Sequence, residues 1–178
     1  MEKYISLLRG INVGGKNKIV MKELKAMYED LGFKDVITYI QSGNVVFDSK
    51  KYSPEKLSKK VSDGIKSKFG FDIPVLTLTK KDINFAFDNN PFIKRGESIE
   101  KTLVVFLEKI PPENSEEIIS EVKSGNDEFK IADNLIYLFC PDGYGRSKLT
   151  HSMFESKLKV KATARNWKTV TKLVELTS

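Results

Sequence analysis

Two groups of residues in this chain combine the types and spacing needed to hold an anion. The first is the run Arg9-Gly10-Ile11-Asn12-Val13-Gly14-Gly15-Lys16-Asn17-Lys18 taken with Gln41-Ser42-Gly43-Asn44. Arg9, Lys16 and Lys18 supply charge; Asn12, Gln41, Ser42 and Asn44 supply amides and a hydroxyl; the glycines let backbone N–H groups approach a ligand, and no acid interrupts either segment. The second is Pro141-Asp142-Gly143-Tyr144-Gly145-Arg146-Ser147-Lys148 taken with Thr163-Ala164-Arg165-Asn166-Trp167-Lys168. Here Arg146, Lys148, Arg165 and Lys168 are the cations, and Ser147 and Asn166 are expected to cap helices whose N-termini favour negative charge. Arginine usage sharpens both groups. Only four of the 30 basic residues are arginine, and three of those, Arg9, Arg146 and Arg165, fall in these segments; Arg95 is the fourth. A guanidinium grips phosphate or carboxylate with two parallel bonds, whereas lysine is a point charge.

Sharper chemical readings are weaker. Gly10-x-x-x-x-Gly15-Lys16 after a strand has the outline of a phosphate-cradling loop, but Asn17 stands where a magnesium-binding Ser or Thr is needed and the helix begins several residues later. Gly143-x-Gly145 lacks the third glycine of a dinucleotide fingerprint and reads as a tight turn. Ser147 and His151 are four apart and could face each other on one helix, yet no carboxylate partner is in evidence, so a capping serine and a surface histidine are the simpler reading. Lys56, Lys59, Lys60, Lys66 and Lys68 read as the solvated face of a helix, and Trp167 as a core anchor. One cysteine, Cys140, and one histidine, His151, provide no disulfide and no soft-ligand cluster for zinc, and no cofactor signature is present.

The elements that must position the two groups follow from period and punctuation. Tyr4–Leu8 is of strand length, and Met21, Leu24, Met27, Tyr28 and Leu31 recur at helical spacing before Gly32. Val36–Ile40 and Val45–Phe47 flank the short linker of a hairpin. Ser53-Pro54 opens a helix carrying Leu57, Val61, Ile65 and Phe69, Gly70 closes it, and Ile73–Leu78 is a strand. After a connector, residues 80–100, with a short helix around Ile83–Phe87, the order repeats. Leu103–Leu107 is a strand, Pro111-Pro112 introduces a helix, and Phe129–Ala132 and Leu135–Phe139 pair around Asp133-Asn134. Ser147 then caps a helix, Val160–Thr163 is a strand, and Asn166 caps a terminal helix. The expectation is an α+β protein of two tandem ferredoxin-like domains (βαββαβ, an alpha-beta plait), residues 1–79 and 80–178, with an extra C-terminal helix. In that topology strands one and three are antiparallel neighbours, so the loop after the first and the hairpin before the third meet at one end of the sheet. The second group is expected at the opposite end of its own sheet, where the loop before the second helix meets the end of strand four.

Composition bounds the rest. At 178 residues, with 40% hydrophobic residues each worth about 1.5–3 kcal/mol when buried, the chain can fill one sizeable core or two small ones, which excludes disorder. No stretch approaches the roughly 20 apolar residues of a membrane span, so no membrane is expected, and the lone cysteine suits a reducing cytoplasm. Charge is segregated: residues 1–79 carry +5, residues 80–145 carry −5 and residues 146–178 carry +6.

The strings LLRGINVGGKNK (Leu7–Lys18), YIQSGNVVF (Tyr39–Phe47), GRSKL (Gly145–Leu149) and TARNWKTVTKL (Thr163–Leu173) together resemble the DUF1697 family of bacterial proteins. The resemblance implies a bacterial, cytoplasmic protein with two plait-type domains; it brings no activity and no catalytic residues. The residues themselves point to binding of a phosphate-bearing or other anionic ligand, nucleic acid or nucleotide. The alternatives are an enzyme acting on a small anionic substrate, oriented by Asn12, Gln41, Ser42 and Asn44 but lacking a general base, and a structural or partner-binding protein using the charge segregation.

Overall fold

The computed structural model describes residues 1–178. It is a mixed α+β protein that divides into two compact units, Met1–Asn84 with Leu173–Ser178, and Phe85–Lys172, each built on its own four-stranded antiparallel sheet.

The first unit runs β1 (Glu2–Leu8), α1 (Met21–Asp30), β2 (Lys34–Tyr39), β3 (Asn44–Ser49), α2 (Pro54–Phe69) and β4 (Val75–Thr79), with sheet order β2-β3-β1-β4. Alternate residues of the two central strands, Tyr4 and Leu8 with Val45 and Phe47, face Leu24, Met27 and Tyr28 of α1 and Leu57, Val61 and Ile65 of α2 in one buried cluster. Phe47 anchors it, its ring 4.5 Å from Phe33 and 5.3 Å, edge on, from Tyr28. The stop and start signals of α2 act as read: Ser53 accepts from the Lys56 N–H, Pro54 occupies the first turn, and Gly70 closes the helix at φ 77°. The lysines of α2 are spent on its own surroundings. Lys59 pairs with Asp63 at 2.6 Å and Lys66 with Asp72 at 2.9 Å, Lys60 donates to the Leu31 carbonyl, and Lys56 lies over the Tyr52 ring.

The connecting segment holds α3 (Lys80–Asp88) and α4 (Pro91–Lys94). The second unit then runs β5 (Thr102–Leu107), α5 (Ser115–Ser120), β6 (Glu128–Ala132), β7 (Leu135–Phe139), α6 (His151–Leu158) and β8 (Ala162–Asn166), followed by α7 (Trp167–Thr177). Its sheet order, β6-β7-β5-β8, repeats the first. Leu103, Val105 and Leu107 of β5 share a buried cluster with Ile136, Leu138, Ile119, Phe154 and Leu158. Trp167 is buried as expected and stacks on Phe87 with centroids 5.3 Å apart. Asn166 caps α7, accepting from the Thr169 N–H at 2.9 Å.

Three departures from the sequence reading fall in the second unit. Ser147 does not open a helix: its Oγ accepts from the Leu149 N–H two residues on, the bond of a serine turn. The helix starts four residues later, capped by Thr150, whose hydroxyl accepts from the Met153 N–H. Ser147 and His151 therefore do not share a helix face. Pro111-Pro112 is followed by a turn, with the Ser115 N–H bonded to the Pro112 carbonyl, so α5 begins only at Ser115. The last strand begins two residues later than read and extends to Asn166, because its register is set by pairing to β5, Leu107 with Ala162 through Leu103 with Asn166.

Candidate functional site

At the loop end of the first sheet the expected convergence occurs. The Leu8 N–H donates to the Gly43 carbonyl at 2.8 Å, tying the end of β1 to the β2–β3 hairpin. Between β1 and α1 the chain forms a hairpin of its own. The Asn12 N–H reaches the Asn17 carbonyl, the Lys16 N–H reaches the Val13 carbonyl, and Gly14 and Gly15 turn at φ 57° and 74°. That two-glycine turn with both φ positive is the geometry that β-branched or bulky residues resist. The Asn17 side chain closes the base of this hairpin on the Gly10 carbonyl at 2.9 Å.

Asn12 is the hub of the region. Its Nδ2 donates to the Ile19 and Gln41 carbonyls, each at 3.0 Å, and its Oδ1 accepts from the Ile19 N–H at 2.8 Å. One amide thus joins the loop, the approach to α1 and the neighbouring hairpin. Asn44 is buried and braces the same hairpin from within, donating to the Tyr39 carbonyl and the Ser42 hydroxyl. Gly43 is required on two counts. Its φ is 89°, and a Cβ there would lie 2.7 Å from Leu8 Cβ and 2.9 Å from Ile11 Cδ1. Asn12, Ser42 and Asn44 therefore hold the frame, while Lys16, Lys18 and the Gln41 side chain stand exposed on it and Arg9 is half-buried. Neither the Lys16 nor the Lys18 ammonium pairs with a carboxylate. The nearby start of α1 has no side-chain cap; Glu23 is the one acid in its first turn.

The second group is also assembled at one end of its sheet, because Phe139 and Asn166 both align with the start of β5, at Thr102 and Leu103. Its chemistry differs. Residues 141–150 fold into tight turns, Gly143 at φ 92° leading into a 3-10 turn over Tyr144–Arg146, as a turn reading of the glycines requires. The segment is then anchored to the loop after α5. The Lys148 N–H donates to Ser124 Oγ at 2.8 Å, Ser124 Oγ donates to the Asp127 carboxylate and lies 3.4 Å from Ser147 Oγ, and Asn126 reaches Asp142. Lys168 pairs with Glu100 at 3.1 Å. Arg146 and Lys148 are exposed, but Arg165 is only 9% exposed; it donates to the Ala164 carbonyl, and burial pulls its guanidinium down to about 10. The buried Cys140 thiol is pushed up to about 11, first by burial and then by the Asp127 charge. Beside this lies an open cleft of about 530 Å³ lined by Ile119, Val122, Lys123, Ser124, Asp127 and Phe129. Reasoning from the sequence missed Ser124, Asn126, Asp127 and Glu100. The turn-forming string Ser124-Gly125-Asn126-Asp127 was the available signal. The remaining arginine, Arg95, is structural, held by Glu128 through two bonds of 2.9 and 3.1 Å and by Glu97.

No helix is long and apolar enough to cross a membrane. No curated protein matches the chain. A solved structure described as that of the conserved bacterial protein SP0830 from Streptococcus pneumoniae is similar over 99% of both chains, with a TM-score of 0.75 and 25% sequence identity. The family model for DUF1697, "Protein of unknown function", matches residues 1–137, which takes in the whole of the first loop group; Gly145–Leu149 and Thr163–Leu173 lie beyond its end. With that match covering more than three quarters of its length, the chain belongs to the DUF1697 family.

Proposed function

We propose that this protein binds a phosphate-bearing ligand, nucleic acid or nucleotide, at the loop end of its first sheet. The observation that carries this reading is the pair of exposed lysines, Lys16 and Lys18, without carboxylate partners on a loop pinned by Asn12 and Asn17. A pinned loop loses little conformational freedom when a ligand engages it, so the attraction of two unpaired ammonium groups is not spent on ordering the site. In this reading Arg9 adds a third cation, Gln41 and Ser42 offer polar contacts at the hairpin, and Asn12 and Asn44 keep the frame rigid. The second group, Arg146, Ser147, Lys148, Arg165, Asn166 and Lys168, is subsidiary, since Asp127 and Glu100 lie beside it and Asp142 lies within its own loop. Two ferredoxin-like domains, divided after Thr79, and a cytoplasmic setting belong to the same proposal; the repeated sheet order and the single buried cysteine support them.

The test is a titration of the protein with ATP and with a fluorescein-labelled 20-nucleotide strand at low salt. Binding of either, weakened several-fold in K16A/K18A at unchanged melting temperature, supports the reading. Affinity that is absent, or indifferent to the double substitution, overturns it.

A further inference from the structure

Three exposed aliphatic residues adjoin, along the chain, Asn12 or the residues that it bonds. Val13 is 62% exposed, Val20 62% and Ile40 47%. Val13 follows Asn12 itself, Val20 follows Ile19 and Ile40 precedes Gln41, so each sits one residue, about 3.8 Å of chain, from Asn12 or from a residue that it bonds. Single exposed aliphatics mean little; three around one bonded centre, with Lys16 paired across from Val13 and Lys18 adjoining Ile19, make a patch of mixed chemistry. Ile40 is also held at φ 50°, where a β-branched residue is strained and Asn or Gly would be relaxed. A half-exposed isoleucine at a hairpin end costs the fold backbone strain that Asn or Gly would not.

Resting on the proposal that this end binds phosphate, we infer that its ligand is a single-stranded nucleic acid, whose phosphates meet Lys16 and Lys18 while unstacked base faces or methyl groups lie on Val13, Val20 and Ile40. A free nucleotide needs walls around its base, whereas the aliphatic side chains offered here stand exposed. A duplex buries its base faces and offers this patch phosphate alone. A single strand presents charge and apolar faces side by side. An anionic membrane surface is the poorer match. Polybasic membrane anchors use about 4–8 lysines or arginines, and interfacial segments insert Trp, Phe or Leu rather than short β-branched side chains.

The experiment is fluorescence anisotropy with labelled dT20 and rU20, competed by a duplex of equal length and by ATP, alongside sedimentation with phosphatidylserine vesicles. The expected result is single-strand affinity about tenfold or more above duplex affinity at equal salt. V13S and I40N should each weaken strand binding several-fold without altering its salt dependence, whereas K16A and K18A should each lower the salt slope by about one unit. Asn suits the backbone at position 40, so I40N keeps the fold, and its melting temperature checks this. Equal affinity for duplex, vesicle binding in place of strand binding, or strand affinity indifferent to V13S and I40N overturns the inference. ATP binding without strand binding overturns it while leaving the proposed function standing; binding of neither removes both.

Discussion

The two loop groups are built alike and end up chemically unlike. Each gathers glycines, cations and a helix start at one end of an antiparallel sheet. In the first unit the polar side chains satisfy the backbone of their own loops, leaving Lys16 and Lys18 without acids. In the second, the loop is fastened by Ser124 and Asn126 from a neighbouring segment, and acids lie among the fastenings: Asp127 takes the Ser124 hydroxyl, and Asn126 bonds the loop's own Asp142. A cationic loop remains available to an anion only if the network that fixes its shape holds no acid. Amides bonded to carbonyls leave the local field positive, whereas carboxylates within the network cancel it.

The largest expected effect separates the two frames by a methyl group. Gly43→Ala combines a left-handed backbone with a Cβ 2.7 Å from Leu8 Cβ and should cost about 2–4 kcal/mol in chemical denaturation. Gly125→Ala in the second unit has comparable backbone strain, but its Cβ meets only an Asp142 oxygen at 3.9 Å, and about 1–2 kcal/mol is expected. Equal losses would mean that the close packing of the first hairpin is not what holds it.

Asn12→Ala comes next. Removing one amide breaks its bonds to Ile19 and Gln41 and leaves their backbone groups to find water, at about 2 kcal/mol. Ser124→Ala removes the acceptor of the Lys148 N–H and the donor to Asp127, at about 1 kcal/mol. Faster amide exchange across residues 12–19 in the first variant and 124–148 in the second would show that each loop depends on its own clamp.

The contrast in charge is read from salt dependence. If the strand binds at the first group, K16A and K18A should each flatten the slope of log K against log salt by about one unit, and R146A and K148A by distinctly less. A larger change from the second pair would reverse the ranking of the two ends.

The smallest effect concerns Cys140, which is raised to about 11 in the folded protein. Above the ordinary thiol value the unfolded chain has released this proton while the folded one retains it, so folding binds more protons there and stability falls as pH rises. The contribution is whole below about pH 8.5 and is lost up to about 11. A fall in melting temperature over that window, reduced in C140A, is expected, and a disulfide reagent at pH 8 should leave the folded thiol unmodified.

Much of this architecture was legible in the chain. Ser53-Pro54 and Gly70 delimit α2, the period of Leu57, Val61 and Ile65 gives its buried face, and Trp167 lies in a core, because caps, breakers and periodicity are local interactions written within a few residues. Ser147 was misread because a serine turn and a helix cap begin with the same residue type and differ only in which N–H the hydroxyl accepts. Convergence of Arg9–Lys18 with Gln41–Asn44 was also readable, since strand order determines which loops share a sheet end.

What the sequence determined, then, was the order of strands and helices, their facing residues and the gathering of cationic loops at sheet ends. Only the tertiary structure decided which loop kept its charge. That depends on groups distant in sequence arriving within a few ångströms, as Ser124 does at the Lys148 N–H and Glu100 at Lys168, and on burial, which leaves Arg165 little contact with water. Local patterning sets where a side chain starts; the electrostatic value of that side chain is set by whatever else folding brings beside it.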